Sequence, residues 1–120
     1  MYNEVRILQS LRHPHVIRLI DFESKPDFHC LSFPYYPCGD LFQLLARKGQ
    51  FPEQLVQCIL DQLAQTLRYL HLECGIVHRD VKLENILVES FIPSKSCMSI
   101  ILTDFGLVSF LQSQNTSRQK

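Results

Sequence analysis

The strongest constraint on how this chain can fold is a stripe of apolar residues in its middle. Val56, Ile59, Leu60, Leu63, Leu67 and Leu70 recur every three or four positions, the period at which side chains line one face of an α-helix. Pro52 suits the first turn of such a helix, where an N–H has no intrahelical partner, and Gly75 can close it. A helix with one apolar face must bury that face. The stripe is therefore expected to be core, covered by other parts of the fold.

Shorter elements flank it. Val5, Ile7, Leu8 and Leu11 give residues 1–12 helical spacing, and Pro14 marks the end of that helix. No capping residue or turn precedes it, so the expectation is the back half of a longer helix. Residues 16–21 and 28–33 read as two strands, with Ser24, Lys25, Pro26 and Asp27 between them. Pro34, Pro37 and Gly39 then break the chain into an extended linker. A short helix is expected over 40–48, with Asp40 as its cap and Gly49 just past its end. Residues 86–88 and 100–103 read as buried strands, joined by a polar connection over 89–99 that contains Pro93. The tail after Leu111 is polar, and disorder is expected there.

Composition narrows the function classes. Hydrophobic residues make up 46% and charged residues 20%, an ordinary globular balance. Lysine plus arginine equals aspartate plus glutamate at 12 each, so there is no basic field for nucleic acid or an anionic membrane. No stretch approaches the length of a membrane span, and Met-Tyr-Asn-Glu-Val-Arg lacks the apolar run of a secretory signal. An intracellular chain, cytoplasmic or nuclear, is expected. Cys30, Cys38, Cys58, Cys74 and Cys97 are odd in number and widely spaced, with no Cys-x-x-Cys pair. That spacing argues against zinc and against disulfides, and leaves five small buried or half-buried residues in a reducing compartment. His13 and His15 read as part of a turn, since no further metal ligand is suitably placed.

The chemistry concentrates in His78-Arg79-Asp80-Val81-Lys82-Leu83-Glu84-Asn85 and in Asp104-Phe105-Gly106, each beside an expected strand. The first puts a carboxylate, an ammonium and a carboxamide within one tight loop. Phosphoryl transfer needs such a set: an acid to receive or orient a hydroxyl, a cation to offset phosphate charge, and oxygens to hold magnesium.

These segments resemble the catalytic loop and the magnesium loop of protein kinases. The resemblance implies that Asp80 is the catalytic base, that Lys82 contacts the γ-phosphate of ATP, and that Asn85 and Asp104 bind Mg²⁺. A lysine two residues after the aspartate looks like the serine/threonine class. Lys82-Leu83-Glu84-Asn85 weakly resembles the calcium/calmodulin- and AMP-regulated group. Arg79 looks like the arginine that reads an activation-loop phosphate. Upstream, residues 3–8 and 11–16 resemble the αC helix and the turn after it, which places Glu4 at the family's lysine–glutamate ion pair. Phe33 falls at the gatekeeper, and Pro34, Tyr35 and Tyr36 at the hinge. There the Pro34 carbonyl and the Tyr36 N–H would face adenine. Asp40 would meet the ribose and Leu87 would lie under the adenine. Leu8, Leu19, His78 and Phe105 fall on the family's hydrophobic column.

The implied architecture is α+β, a partial two-lobed kinase fold. Residues 1–33 form part of the small lobe, 34–39 the hinge, 40–111 part of the large lobe, and 112–120 the start of the activation segment. The implied partners are ATP and a protein substrate with serine or threonine. Neither a Gly-x-Gly-x-x-Gly loop nor a Val-Ala-Ile-Lys-like strand occurs before Glu4, and no Ala-Pro-Glu follows Gly106. The 120 residues alone are therefore expected to be inactive. The alternative is a non-catalytic relic or isoform acting as a binding module, with a partner chain covering exposed apolar faces.

Overall fold

The computed structural model describes residues 2–92, 96–105 and 109–110. Helix α1 (Tyr2–Ser10) leads into a loop, and a hairpin of β1 (Asp21–Ser24) and β2 (His29–Ser32) follows. Helix α2 (Leu41–Lys48), helix α3 (Glu53–Arg68) and a π-helical turn (Tyr69–Glu73) come next. Strand β3 (Ile76–Val77), a 3₁₀ turn (Leu83–Asn85), β4 (Ile86–Ile92), β5 (Cys97–Leu102) and β6 (Ser109–Phe110) complete the described chain. The three sheets are antiparallel pairs: β1 with β2, β3 with β6, and β4 with β5. The class is α+β, as expected.

Local signals set several boundaries. The Asp40 carboxylate accepts the Gln43 N–H at 2.8 Å, and the Gln43 side chain returns to the Asp40 N–H, so α2 opens on a capping box. Gly49 stops α2 at φ 84°, a conformation that costs glycine little. Both features follow the sequence expectation.

Strand β5 is the centre of the core. Met98, Ile100, Ile101 and Leu102 are all buried: α3 packs on the strand, β4 pairs with it, and the loop after α1 bonds to its end at Leu102. The Leu102 N–H donates to the His15 carbonyl at 2.7 Å, and the Ile17 N–H donates to the Leu102 carbonyl at 2.9 Å. Val16 and Ile17 are therefore buried against β5, and do not belong to the hairpin. This corrects the strand expected over 16–21: the ladder begins at Asp21, and the apolar signal upstream reflects packing on a distant strand.

Three more expectations need correction. Much of the polar connection over 89–99 is strand: β4 and β5 pair from Ile86 with Leu102 out to Ile92 with Cys97, with an irregularity between Val88 and Ser90. Glu89, Ser90 and Phe91 are exposed at that end of the hairpin, Met98 is buried, and Pro93 lies outside the described residues. The apolar stripe of α3 is only partly core. Ile59 and Leu70 are buried, but Val56 is 38% and Leu60 54% exposed. Finally, Cys58 on α3 and Cys97 on β5 form a disulfide across 39 residues, with Cα atoms 5.9 Å apart. Spacing along the chain could not reveal it, because packing of α3 on β5 creates the proximity. Of the other cysteines, Cys38 and Cys74 are half-buried as expected, while Cys30 is exposed.

Candidate active site

The segment from His78 to Asn85 follows β3, and its backbone is tied down at once. His78 is 2% exposed and bonded on both ring nitrogens. With the proton on Nε2, the ring donates to the Thr103 carbonyl at 2.9 Å, while Nδ1 accepts the Asp80 N–H at 3.1 Å. The ring also meets Phe105 edge-on, with centroids 4.8 Å apart. One buried imidazole thus fixes the backbone of both motifs.

The side chains then converge. Asn85 Nδ2 donates to the Asp80 carbonyl at 2.8 Å and to Asp80 Oδ2 at 3.1 Å. Lys82 Nζ lies 3.7 Å from Asp80 Oδ1, a loose pair between an exposed ammonium and a half-buried carboxylate. The Thr103 N–H donates to the Asn85 carbonyl at 2.9 Å, which sets Asp104 beside Asn85 along the backbone. Asp104 itself is exposed, while Phe105 is 1% exposed and anchors the motif from within.

Two of these residues hold rare backbone conformations. Arg79 has φ 74° and Asp104 has φ 65°. Non-glycine residues in this region are strained unless their surroundings hold them, and such strain gathers at functional sites. Here the His78 and Asn85 hydrogen bonds supply the hold.

The residues expected to face a nucleotide are less tightly joined. Asp40 bridges to Leu87, and the Val88 N–H donates to the Gly39 carbonyl at 2.8 Å, so the linker is stitched to β4. The Tyr36 carbonyl accepts the Gly39 N–H at 3.0 Å. Among the described residues, neither the Pro34 carbonyl nor the Tyr36 N–H has a hydrogen-bond partner. Burial, reinforced by Glu89, pushes the Tyr36 phenol up, against a smaller pull from Arg18. Phe33 is 38% exposed, and Glu4 is half-buried in the first turn of α1. No hydrogen bond or ion pair joins Glu4 or Phe33 to the Asp80 cluster among the described residues. Leu8 and Phe105 share the core cluster and Leu19 packs on it, while Gly106 lies outside the described residues. Sequence reasoning missed Thr103, which acts through its backbone and leaves no side-chain signal.

The whole chain, residues 1–120, matches the family described as the protein kinase domain. The chain belongs to the protein kinase domain family. It is 43% identical over 107 residues to serine/threonine-protein kinase 33 of Bos taurus, covering 87% of this chain and 22% of that protein. Similarity to the meiosis-specific serine/threonine-protein kinase mek1 of Schizosaccharomyces pombe is 40% over 111 residues, covering 92% of this chain and 24% of the relative. The calcium/calmodulin-dependent protein kinase type II of the same yeast is 36% identical over 98 residues, covering 80% and 19%. The kinase domain chain thus spans about a fifth of the length of these relatives. No helix among its described residues is long and apolar enough to cross a membrane.

Proposed function

We propose that this kinase domain chain carries the part of a serine/threonine kinase that handles Mg²⁺-ATP, with the γ-phosphoryl group passing to a serine or threonine hydroxyl of a protein. Residues 1–33 belong to the small lobe, 34–39 to the hinge, 40–111 to the large lobe, and 112–120 to the start of the activation segment. The observation that carries this reading is the Asp80–Lys82–Asn85 cluster, held beside Asp104 by the Thr103–Asn85 hydrogen bond.

The donor set fits magnesium. Asn85 directs its Nδ2 hydrogens at Asp80, which leaves Oδ1 as an acceptor, and Asp104 adds an exposed carboxylate. Two hard oxygens suit an ion that completes its shell with phosphate and water. Magnesium, when bound there, would offset triphosphate charge. Asp80, with Asn85 on one carboxylate oxygen, would orient the substrate hydroxyl and take its proton. Lys82, loosely held, would reach the γ-phosphate. The Pro34 carbonyl and Tyr36 N–H would pair with adenine, and Leu87 and Phe33 would border the base. Asp40 would use the carboxylate oxygen not engaged in the cap on the ribose, and Glu4 would await a lysine from a neighbouring strand.

A chimera tests this reading. Residues 1–120 replace the matching span of serine/threonine-protein kinase 33. Phosphorylation of a serine/threonine peptide, lost in Asp80→Asn, is expected. A folded chimera with no activity, or one indifferent to Asp80→Asn, would overturn it. The 120-residue chain alone is expected to show no phosphotransfer. Robust transfer by that chain would refute its proposed inactivity. The second reading, a relic or isoform that binds a partner chain, is favoured by the apolar groove of about 190 Å³ around Val56, Leu60 and Leu83. A folded monomer in sedimentation would count against an obligate partner.

A further inference from the structure

The Cys58–Cys97 pair lies away from the site just described. It joins the middle of α3 to the first residue of β5. Both cysteines are half-buried, and both border an open groove of about 610 Å³ that also contains Glu53, Gln57 and Asp61. Cys97 lines a second groove of about 410 Å³, with Leu55, Phe91 and Ile92. Small reagents can therefore approach the sulfurs from solvent.

Gln62 holds the two elements together independently of the sulfur–sulfur bond. Its Nε2 donates to the Met98 carbonyl at 2.7 Å, and its Oε1 accepts the Ile100 N–H at 3.1 Å. The same Nε2 sits 3.3 Å from Cys58 Sγ and 3.6 Å from Cys97 Sγ. The side chain works as a clamp from α3 to β5. Opening the disulfide leaves both backbone hydrogen bonds in place, so the thiols stay within reach of each other and the bond can form again. A Cα separation of 5.9 Å suits this, since it lies in the normal range for bridged cysteines.

We propose that Cys58 and Cys97 form a reversible oxidation site, closed by peroxide and opened by small thiols, that staples the β4–β5 hairpin to α3. In the closing reaction one thiolate attacks a peroxide oxygen. The O–O bond breaks, leaving a sulfenic acid and hydroxide, which takes up a proton as water. The second thiolate attacks the sulfenic sulfur, the S–S bond forms, and the S–O bond breaks to release a second water after protonation. Both sulfurs are oxidised and both peroxide oxygens are reduced. Two equivalents of a small thiol reverse the bond by exchange, ending as their own disulfide. The closed form constrains a long loop of the unfolded chain, which raises stability. This inference does not depend on the kinase reading.

The test uses a chain in which Cys30, Cys38 and Cys74 are replaced by serine, beside the unaltered chain. Each is reduced, treated with hydrogen peroxide, alkylated and digested. The expected result is a Cys58–Cys97 linked peptide in both chains, a rise in Tm of about 10 °C on oxidation, and full reversal by millimolar glutathione. Cys58→Ser and Cys97→Ser should each abolish the rise. Other pairings, alkylated Cys58 and Cys97 after peroxide, or no linked peptide would overturn the proposal. A linked peptide that resists glutathione would overturn the reversible site and leave a permanent staple. The unaltered chain keeps all five cysteines, so selective Cys58–Cys97 linkage there reports proximity in the fold even if the triple serine variant fails to fold.

Discussion

The β4–β5 hairpin and the β1–β2 hairpin are both antiparallel pairs, yet they serve the molecule differently. In the first, Val88, Met98, Ile100 and Leu102 have no exposed surface, and the strand ends run into the two motif loops. In the second, only Phe22 and Leu31 are half-buried and the remaining six residues are exposed. Burial on several sides fixes a strand in space, whereas a lone two-stranded ribbon draws little stability from itself. The end of the site that would meet phosphate is therefore preorganised, with Asp80, Asn85 and Thr103 cross-bonded. The end that would meet adenine rests on the Gly39–Val88 stitch and the Asp40–Leu87 bridge.

The largest effect should come from the preorganised end. In the chimera, Asp80→Asn is expected to lower the phosphotransfer rate by about 10²–10⁴-fold, read as initial velocity. A loss under tenfold would break the contrast at its strongest point. Next, Ile100→Ala should cost about 2–5 kcal/mol in urea unfolding of the 120-residue chain. Leu31→Ala, in the exposed hairpin, should cost less than half as much. Equal losses would show that the hairpins share one level of support. Third, Asp40→Ala removes the α2 cap where the linker meets Leu87, and should cost about 1 kcal/mol in the same measurement.

The smallest effect belongs to His13. Burial lowers its pKa below 6.5 and nearby His15 adds to that, while Glu73 opposes it. The folded chain thus prefers the neutral ring. Its stabilising contribution is present above the unfolded value and is lost as pH falls through the folded one. Tm should dip between pH 7 and 5, and His13→Gln should flatten that dip. A steeper fall in His13→Gln would assign the pH response elsewhere.

Legibility in the sequence followed the range of the forces involved. Asp40 and Gly49 act on their own helix ends, so their roles could be read locally. Membership of the kinase family was legible because residues 78–85 and 104–106 carry the resemblance in their side chains. Val16 and Ile17 misled because an apolar pair says that it will be buried, but not against what; β5 supplied the answer from more than 80 positions away. The 89–99 connection misled for the opposite reason: exposed Glu89 and Ser90 interrupt the apolar pattern within β4, so a continuing strand looks like a loop. Gln62 gave no signal, since its value lies in reaching two backbone groups of another element.

The paired hydrogen bonds from His15 and Ile17 to Leu102 have a mechanical consequence. Leu102 is two residues from Asp104, and His15 is five residues beyond the end of α1. Any shift of the Asp104 backbone that moves the end of β5 must drag the exit of the first helix with it. A spectroscopic label on α1 would thus report displacement at the acidic loop, even though no hydrogen bond or ion pair joins Glu4 to Asp104 among the described residues.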